Sequence, residues 1–149
     1  MKKFLSVCAL TLATTLPATI LPAAAQDQRN LVSILTAPEA QTQLMAMVLT
    51  LNAVQQGASA QILLCGPAAD IALRDAPETA TAGPPPRDAS PQGLMSMMMS
   101  QHDVKVEVCA IYLPGLGADA SLLLDGVTPA APDAMARSII ADDTVVMSF

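Results

Sequence analysis

Between Val104 and Ala110 apolar and polar residues alternate: Val104, Val106 and Val108 are separated by Lys105 and Glu107, and Cys109 closes the run. A period of two marks a β-strand, because successive strand side chains point to opposite faces. The rest of the chain is organised around this strand, which the pattern places centrally. Upstream, residues 31–35 form a short unbroken apolar run, the pattern of a strand buried on both faces of a parallel sheet. Thr36-Ala37-Pro38-Glu39 then has the residues of a capping box, with Pro38 in the first helical turn, where its missing donor costs nothing. Apolar residues recur at Leu44, Met47, Val48, Leu51 and Val54, which predicts a helix ended by Gly57. Residues 60–64 return to strand and stop at Cys65-Gly66-Pro67. Strand, helix, strand over this length is a βαβ unit with a right-handed crossover, so its two strands should be neighbours.

Residues 68–74 fit a helical turn or two. Asp75 to Ser90 is rich in Pro, with Thr, Ala and Gly between, and predicts a loop without regular structure that serves as a lid or an oligomer contact. Ser90-Pro91 opens a second helix, Ser as N-cap and Pro at the first position, running to about Gln101. After Cys109 come a turn at Pro114-Gly115-Leu116-Gly117 and an apolar helix-like run over 118–124, closed by Asp125-Gly126. A brief strand at 127–129, a helix over 132–140 and a final β-branched strand over 144–147 complete the pattern, without internal repeats.

The first 25 residues read differently. Lys2 and Lys3, an apolar stretch from Phe4 to Leu21 and the small residues Ala23-Ala24-Ala25 are the three parts of a secretory signal. Pro17 and Pro22 interrupt the stretch, which makes it a poor membrane span. Cleavage is expected after Ala25, which would remove Cys8 and leave residues 26–149 as a single domain expected in the periplasm. Only Lys2 and Lys3 are lost among charged residues, so five basic side chains face thirteen acidic ones, a net charge of −8. That surface disfavours nucleic acid and anionic lipid as partners, and implies no membrane association after cleavage. With no Trp, one Tyr and two Phe, the core must be aliphatic, and no aromatic platform is present for stacking bases or sugars.

Cys65 and Cys109 are the cysteines that remain, and both end predicted strands. Three chemistries fit. They can form a disulfide or be inert core thiols in an oxidising compartment. Cys109 can be a reactive thiolate that carries sulfane sulfur, its pKa lowered by the amides of a following helix, with Cys65 as the resolving thiol. A soft-metal site for Cu(I) could draw on Met95, Met97, Met98, Met99 and His102, although methionines at helical spacing also fill cores. No Ser-His-Asp set, phosphate loop or paired CxxC pattern occurs, and the residues imply no cofactor. Lys105 and Glu107 would be costly to bury unpaired, so their face should be open to solvent or meet another subunit.

The residues Asn30-Leu-Val-Ser-Ile-Leu-Thr36, the long helix, Gln61-Ile-Leu-Leu64, Gln101 to Cys109 and Leu123-Leu-Asp-Gly-Val-Thr-Pro129 together resemble the DsrE/DsrF-like proteins, a family that includes the sulfur-relay subunits DsrE and TusD. The resemblance covers nearly all of residues 26–149. It implies a three-layer α/β/α fold with a mainly parallel five-stranded sheet, a homo-oligomer or hetero-oligomer, and a persulfide-carrying role for Cys109, which would make any activity that of a sulfurtransferase-type carrier with its own sulfur donor and acceptor proteins. Relay subunits follow their cysteine with an Ala-Leu-Arg-Arg-Gly type segment, whereas this chain has Leu113-Pro114-Gly115-Leu116-Gly117. A signal peptide also separates it from the cytoplasmic pathways of that family. The competing class is a non-catalytic assembly module, with the Met-rich helix and the Pro-rich loop as subunit contacts.

Overall fold

The computed structural model describes residues 29–85 and 88–149, so the expected leader lies outside the described residues. In chain order these form β1 (Asn30–Leu35), α1 (Ala40–Gln55), β2 (Ser59–Leu64), a 3-10 segment (Gly66–Ala72), α2 (Glu78–Thr81), α3 (Pro91–His102), β3 (Lys105–Cys109), α4 (Tyr112–Gly115), a 3-10 turn (Ala120–Leu122), β4 (Thr128–Ala130), α5 (Pro132–Ile139) and β5 (Thr144–Ser148). All strands are parallel, in the order β4-β3-β2-β1-β5. The middle of the sheet is therefore β2, and the alternating strand β3 lies beside it.

The strand order dictates the layers. From β1 to β4 each step moves the same way across the sheet, so right-handed crossovers put α1 and α3 on one face; the return from β4 to β5 reverses direction and puts α5 on the other. Side chains agree. Leu35, Ile62, Leu64, Val106 and Val108 pack with Met47, Met95 and Met98 beneath α1 and α3, while Val32, Leu63 and Ala130 pack with Met135 of α5. The result is a three-layer α/β/α fold with a five-stranded parallel sheet. Its second helical layer is a single eight-residue helix.

Three local expectations are corrected. The capping box does not form: α1 starts at Ala40, and Glu39 at its N-cap makes no side-chain bond. Thr36 is instead spent on the sheet, where its N–H and its Oγ1 both donate to Phe149 O at 2.8 and 2.9 Å. The Pro-rich stretch holds one helical turn, α2, anchored by the buried Ala80. Residues 118–124 make only the short 3-10 turn: Asp119 caps its start through a carboxylate bond from Ser121 N–H at 2.8 Å, and Leu123 ends it by turning extended to bridge Leu73. Two others hold closely. Ser90 accepts from Gly93 N at 3.0 Å at the start of α3, and Gly57 (φ +96) ends α1 with its N–H on Val54 O and Ala58 N–H on Ala53 O, a Schellman arrangement.

The buried stripe of α1 is turned from the predicted one. Gln43, Ala46, Met47 and Thr50 face the sheet, and Leu44, Val48, Leu51 and Val54 are half-buried on one flank. Thr50 explains the turn: its hydroxyl bonds that of Ser33 on β1 at 2.7 Å in a fully buried pair.

Candidate functional site

β2 and β3 pair in the register Gln61↔Lys105 to Leu64↔Val108, so the next residues, Cys65 and Cys109, stand side by side at the C-terminal rim. Both belong to the α5 face, because they continue the alternation of Gln61 and Leu63 on β2 and of Lys105 and Glu107 on β3. Their Cα atoms are 5.1 Å apart, and they are joined as a disulfide. Cys65 N–H donates to Leu35 O at 2.8 Å, which prolongs the ladder one residue past β2. Gly66 (φ +53) then takes a left-handed conformation and turns the chain away. Cys109 pairs with Ala130 on β4, and the two sulfurs pack half-buried against Val32, Leu63, Ala130 and Met135. The small Ala130 leaves the bridge room at the rim.

Two chain segments leave this bridge, and they are tied a second time. Tyr112, in α4, donates its hydroxyl to Asp70 Oδ1 in the 3-10 segment after Cys65, at 2.7 Å. Burial first, then the hydrogen bond to Asp70 and its negative charge, push the Tyr112 pKa well above the ordinary tyrosine value. The expected cluster of helix-start amides at Cys109 is not there. α4 is one turn of four residues capped by Ile111, too short to act on the sulfur as a helix N-terminus.

An ion pair lies near the bridge on the same face. Glu107, two residues before Cys109 on the same face, is buried, and its carboxylate accepts from Lys105 Nζ at 2.9 Å and from Gln61 Nε2. The expectation of a face partly open to solvent holds at Lys105, whose side chain is 60% exposed, while Glu107 on the same face is buried. The buried carboxylate is satisfied inside the chain, and Lys105 reaches out to water. The Asp70–Tyr112 tie and the role of Gln61 had no signal in the sequence, since both depend on which strands are neighbours.

The other candidates scatter. Met95 and Met98 are fully buried in the core between α3 and the sheet, so the copper reading loses two thioethers to packing. The Pro-rich loop and α2 flank α1 on the sheet face opposite the disulfide. There, Leu44, Met45, Val48, Pro84, Pro85 and Pro91 line an apolar hollow of about 760 Å³. The loop is thus no lid over the cysteines. At the topological switch point, between β1 and β5, the strand ends are closed by the two Thr36 bonds to Phe149.

A parallel five-stranded α/β sheet with a cysteine pair bridging two adjacent strand ends is the class of protein that fold and site define. No family model matches the chain, and no curated protein matches it. Solved structures do. The YchN protein from E. coli superposes with a TM-score of 0.64 at 19% identity, over 82% of this chain and 99% of that one. MTH1491 from Methanobacterium thermoautotrophicum, a protein of unknown function, gives 0.61 at 16% identity, over 83% of this chain and all of that one. At such identities the likeness is one of fold.

Proposed function

We propose that this chain is an exported, periplasmic member of the DsrE-like sulfur-relay group and that Cys109 carries sulfane sulfur, with the Cys65–Cys109 disulfide as its resting form. The observation that carries the reading is the pairing of two cysteines in register at adjacent strand ends, half-buried and anchored by a second tie between the segments that follow them. A dithiol reductant opens the bridge. The freed Cys109 thiolate then attacks the terminal sulfur of a polysulfide, the S–S bond behind that sulfur breaks, and the polysulfide departs one sulfur shorter as Cys109 becomes a persulfide. Transfer of that outer sulfur to an acceptor thiol completes the relay; attack of the Cys65 thiolate on Cys109 Sγ instead releases hydrosulfide and restores the disulfide. Each route conserves electrons, since the dithiol is oxidised only when sulfane sulfur leaves as sulfide.

Intact mass of the reduced protein after polysulfide treatment tests this. The Cys65→Ser variant, lacking the resolving thiol, should hold one extra sulfur atom that reductant removes, while Cys109→Ser should hold none. Wild type should return to the disulfide and release hydrosulfide. The second reading, a purely structural bridge in a non-catalytic module, is favoured by the half-burial of both sulfurs in an apolar cluster. It predicts no added sulfur on any variant.

A further inference from the structure

We propose that the open edge of β5 is a self-association surface, on which a second copy of this chain adds its own β5 antiparallel about a two-fold axis to make one continuous ten-stranded sheet. This surface is independent of the sulfur chemistry and lies on the side of the sheet away from β3. The sheet has two edges, and they differ in kind. β4 is three residues long and carries Pro129, the short, proline-bearing form that resists pairing. β5 is Thr-Val-Val-Met-Ser, with no proline, charge or bulge to blunt it. Both of its faces are open as well: Val145 is 42% exposed on the α1 side and Val146 41% exposed on the α5 side.

The backbone fixes what the occupant must be. Phe149 bonds β1 through both its N–H, to Ile34 O, and its C=O, from Thr36 N–H. By alternation Val145 and Met147 also point their backbone groups at β1, which leaves those of Val146 and Ser148 directed at the open edge. Thr144 has only its carbonyl to offer, since its N–H bonds Ala141 O at 3.0 Å. Water bonds these groups in the single chain, and another strand would pair the whole row in register. A two-fold centred on Val146 lets that residue exchange both bonds with its counterpart, while each Ser148 N–H reaches the opposite Thr144 C=O.

Charge and apolar surface select a second copy in this register. The chain is strongly acidic, so self-association needs an uncharged seam, and residues 144–149 provide one. The Val146 centre sets Asp143 opposite Phe149, at the end of the seam; sliding the strands so that Thr144 meets its counterpart would bring Asp142 and Asp143 of both copies together. α1 packs chiefly over β1 and β2. Helical spacing puts Leu49, 42% exposed, on the flank of α1 opposite Leu44 and Val48, and hence toward β5. On the other face Ile140, 77% exposed, ends α5 just before β5. Pairing two copies encloses these side chains in a shared trough on each face.

The test is sedimentation and light scattering of the disulfide-bonded protein over a concentration series, together with crosslinking. The wild type should dimerise, and Val146→Lys, which sets two ammonium groups opposite each other, should weaken association by roughly tenfold or more while unfolding like wild type. Should that variant fail to fold, Val146→Cys decides. Its Cα sits roughly 5.5 Å from its counterpart in a hydrogen-bonded antiparallel pair, within disulfide reach, so it should crosslink on mild oxidation. Val145→Cys, about 7–8 Å away on the diagonal, should crosslink far more slowly. A wild type that stays monomeric, a dimer unaffected by Val146→Lys, or equal crosslinking at both positions would each overturn the proposal.

Discussion

Opening the Cys65–Cys109 bond should destabilise the fold by an amount that the chain length between the two residues sets. They are 44 apart in sequence. In the chain-entropy description a closed loop of that size removes roughly 4 kcal/mol of freedom from the unfolded ensemble at 25 °C. The folded state should change little, because the β2–β3 ladder and the Tyr112–Asp70 bond continue to hold the rim. Urea unfolding followed by far-UV circular dichroism is the assay, with the oxidised protein, the reduced protein and the Cys65→Ser/Cys109→Ser double variant compared. With an m-value of about 1.5–2 kcal/mol per molar, the midpoint should fall by roughly 2–3 M on reduction. The m-value itself should rise, since an uncrosslinked chain exposes more surface on unfolding. A drop worth less than about 1 kcal/mol, with full reduction verified by alkylation, would refute the reasoning. Reciprocity carries the number to function: if the bridge adds roughly 4 kcal/mol to folding, folding favours the bridge over the dithiol by about 10³ relative to the unfolded chain. If Cys109 carries sulfur as proposed, opening the bridge needs a strong dithiol reductant.

Three further outcomes follow from single contacts. Tyr112 is the sole tyrosine, so tyrosinate absorbance reports it alone; in the folded protein it should titrate well above the ordinary value of 10.0, and at that value in urea. Because the folded state binds this proton more tightly, its contribution to stability is complete below the ordinary value and is lost as pH rises through the folded pKa. Glu107→Ala should cost about 1–3 kcal/mol in urea unfolding, chiefly by stranding Gln61 on a half-covered face, whereas Glu107→Gln should stay within about 1 kcal/mol because the exposed Lys105 contributes little as an ion-pair partner. Thr50→Val should cost about 1–3 kcal/mol by leaving the buried Ser33 hydroxyl unpaired, and adding Ser33→Ala should recover most of the loss.

What was legible in the sequence were the patterns with a local cause. Alternation around Val106 and Val108, the Ser90-Pro91 start of α3, the Gly57 stop and the strand-end cysteines all rest on neighbours within a few residues. What misled was local chemistry that another part of the chain claims. Thr36 has the right residues around it for a helix cap, but Phe149, at the far end of the chain, takes its hydroxyl and its amide. Lys105 and Glu107 pair with each other along one strand, while Gln61 joins Glu107 only through the strand order. Cys65 and Cys109 could be placed on one rim by inspection, while their bonding distance depended on the register of β2 against β3.

The same topology explains why cysteine bridge, buried carboxylate and open strand all lie where they do. One crossover out of four returns across the sheet, so the α5 face has a single eight-residue helix to cover it. Met135 and Ile139 of that helix reach the apolar patch of Val32, Ile34 and Leu63. Toward β3 the face becomes polar, with Gln61 and Lys105 both bonded to Glu107, and at the rim the disulfide adds to the packing of Met135. On the other side, β5 keeps an open edge and the exposed Val146. A thin layer thus leaves a half-buried covalent bond at one end of the sheet and a solvent-facing backbone edge at the other.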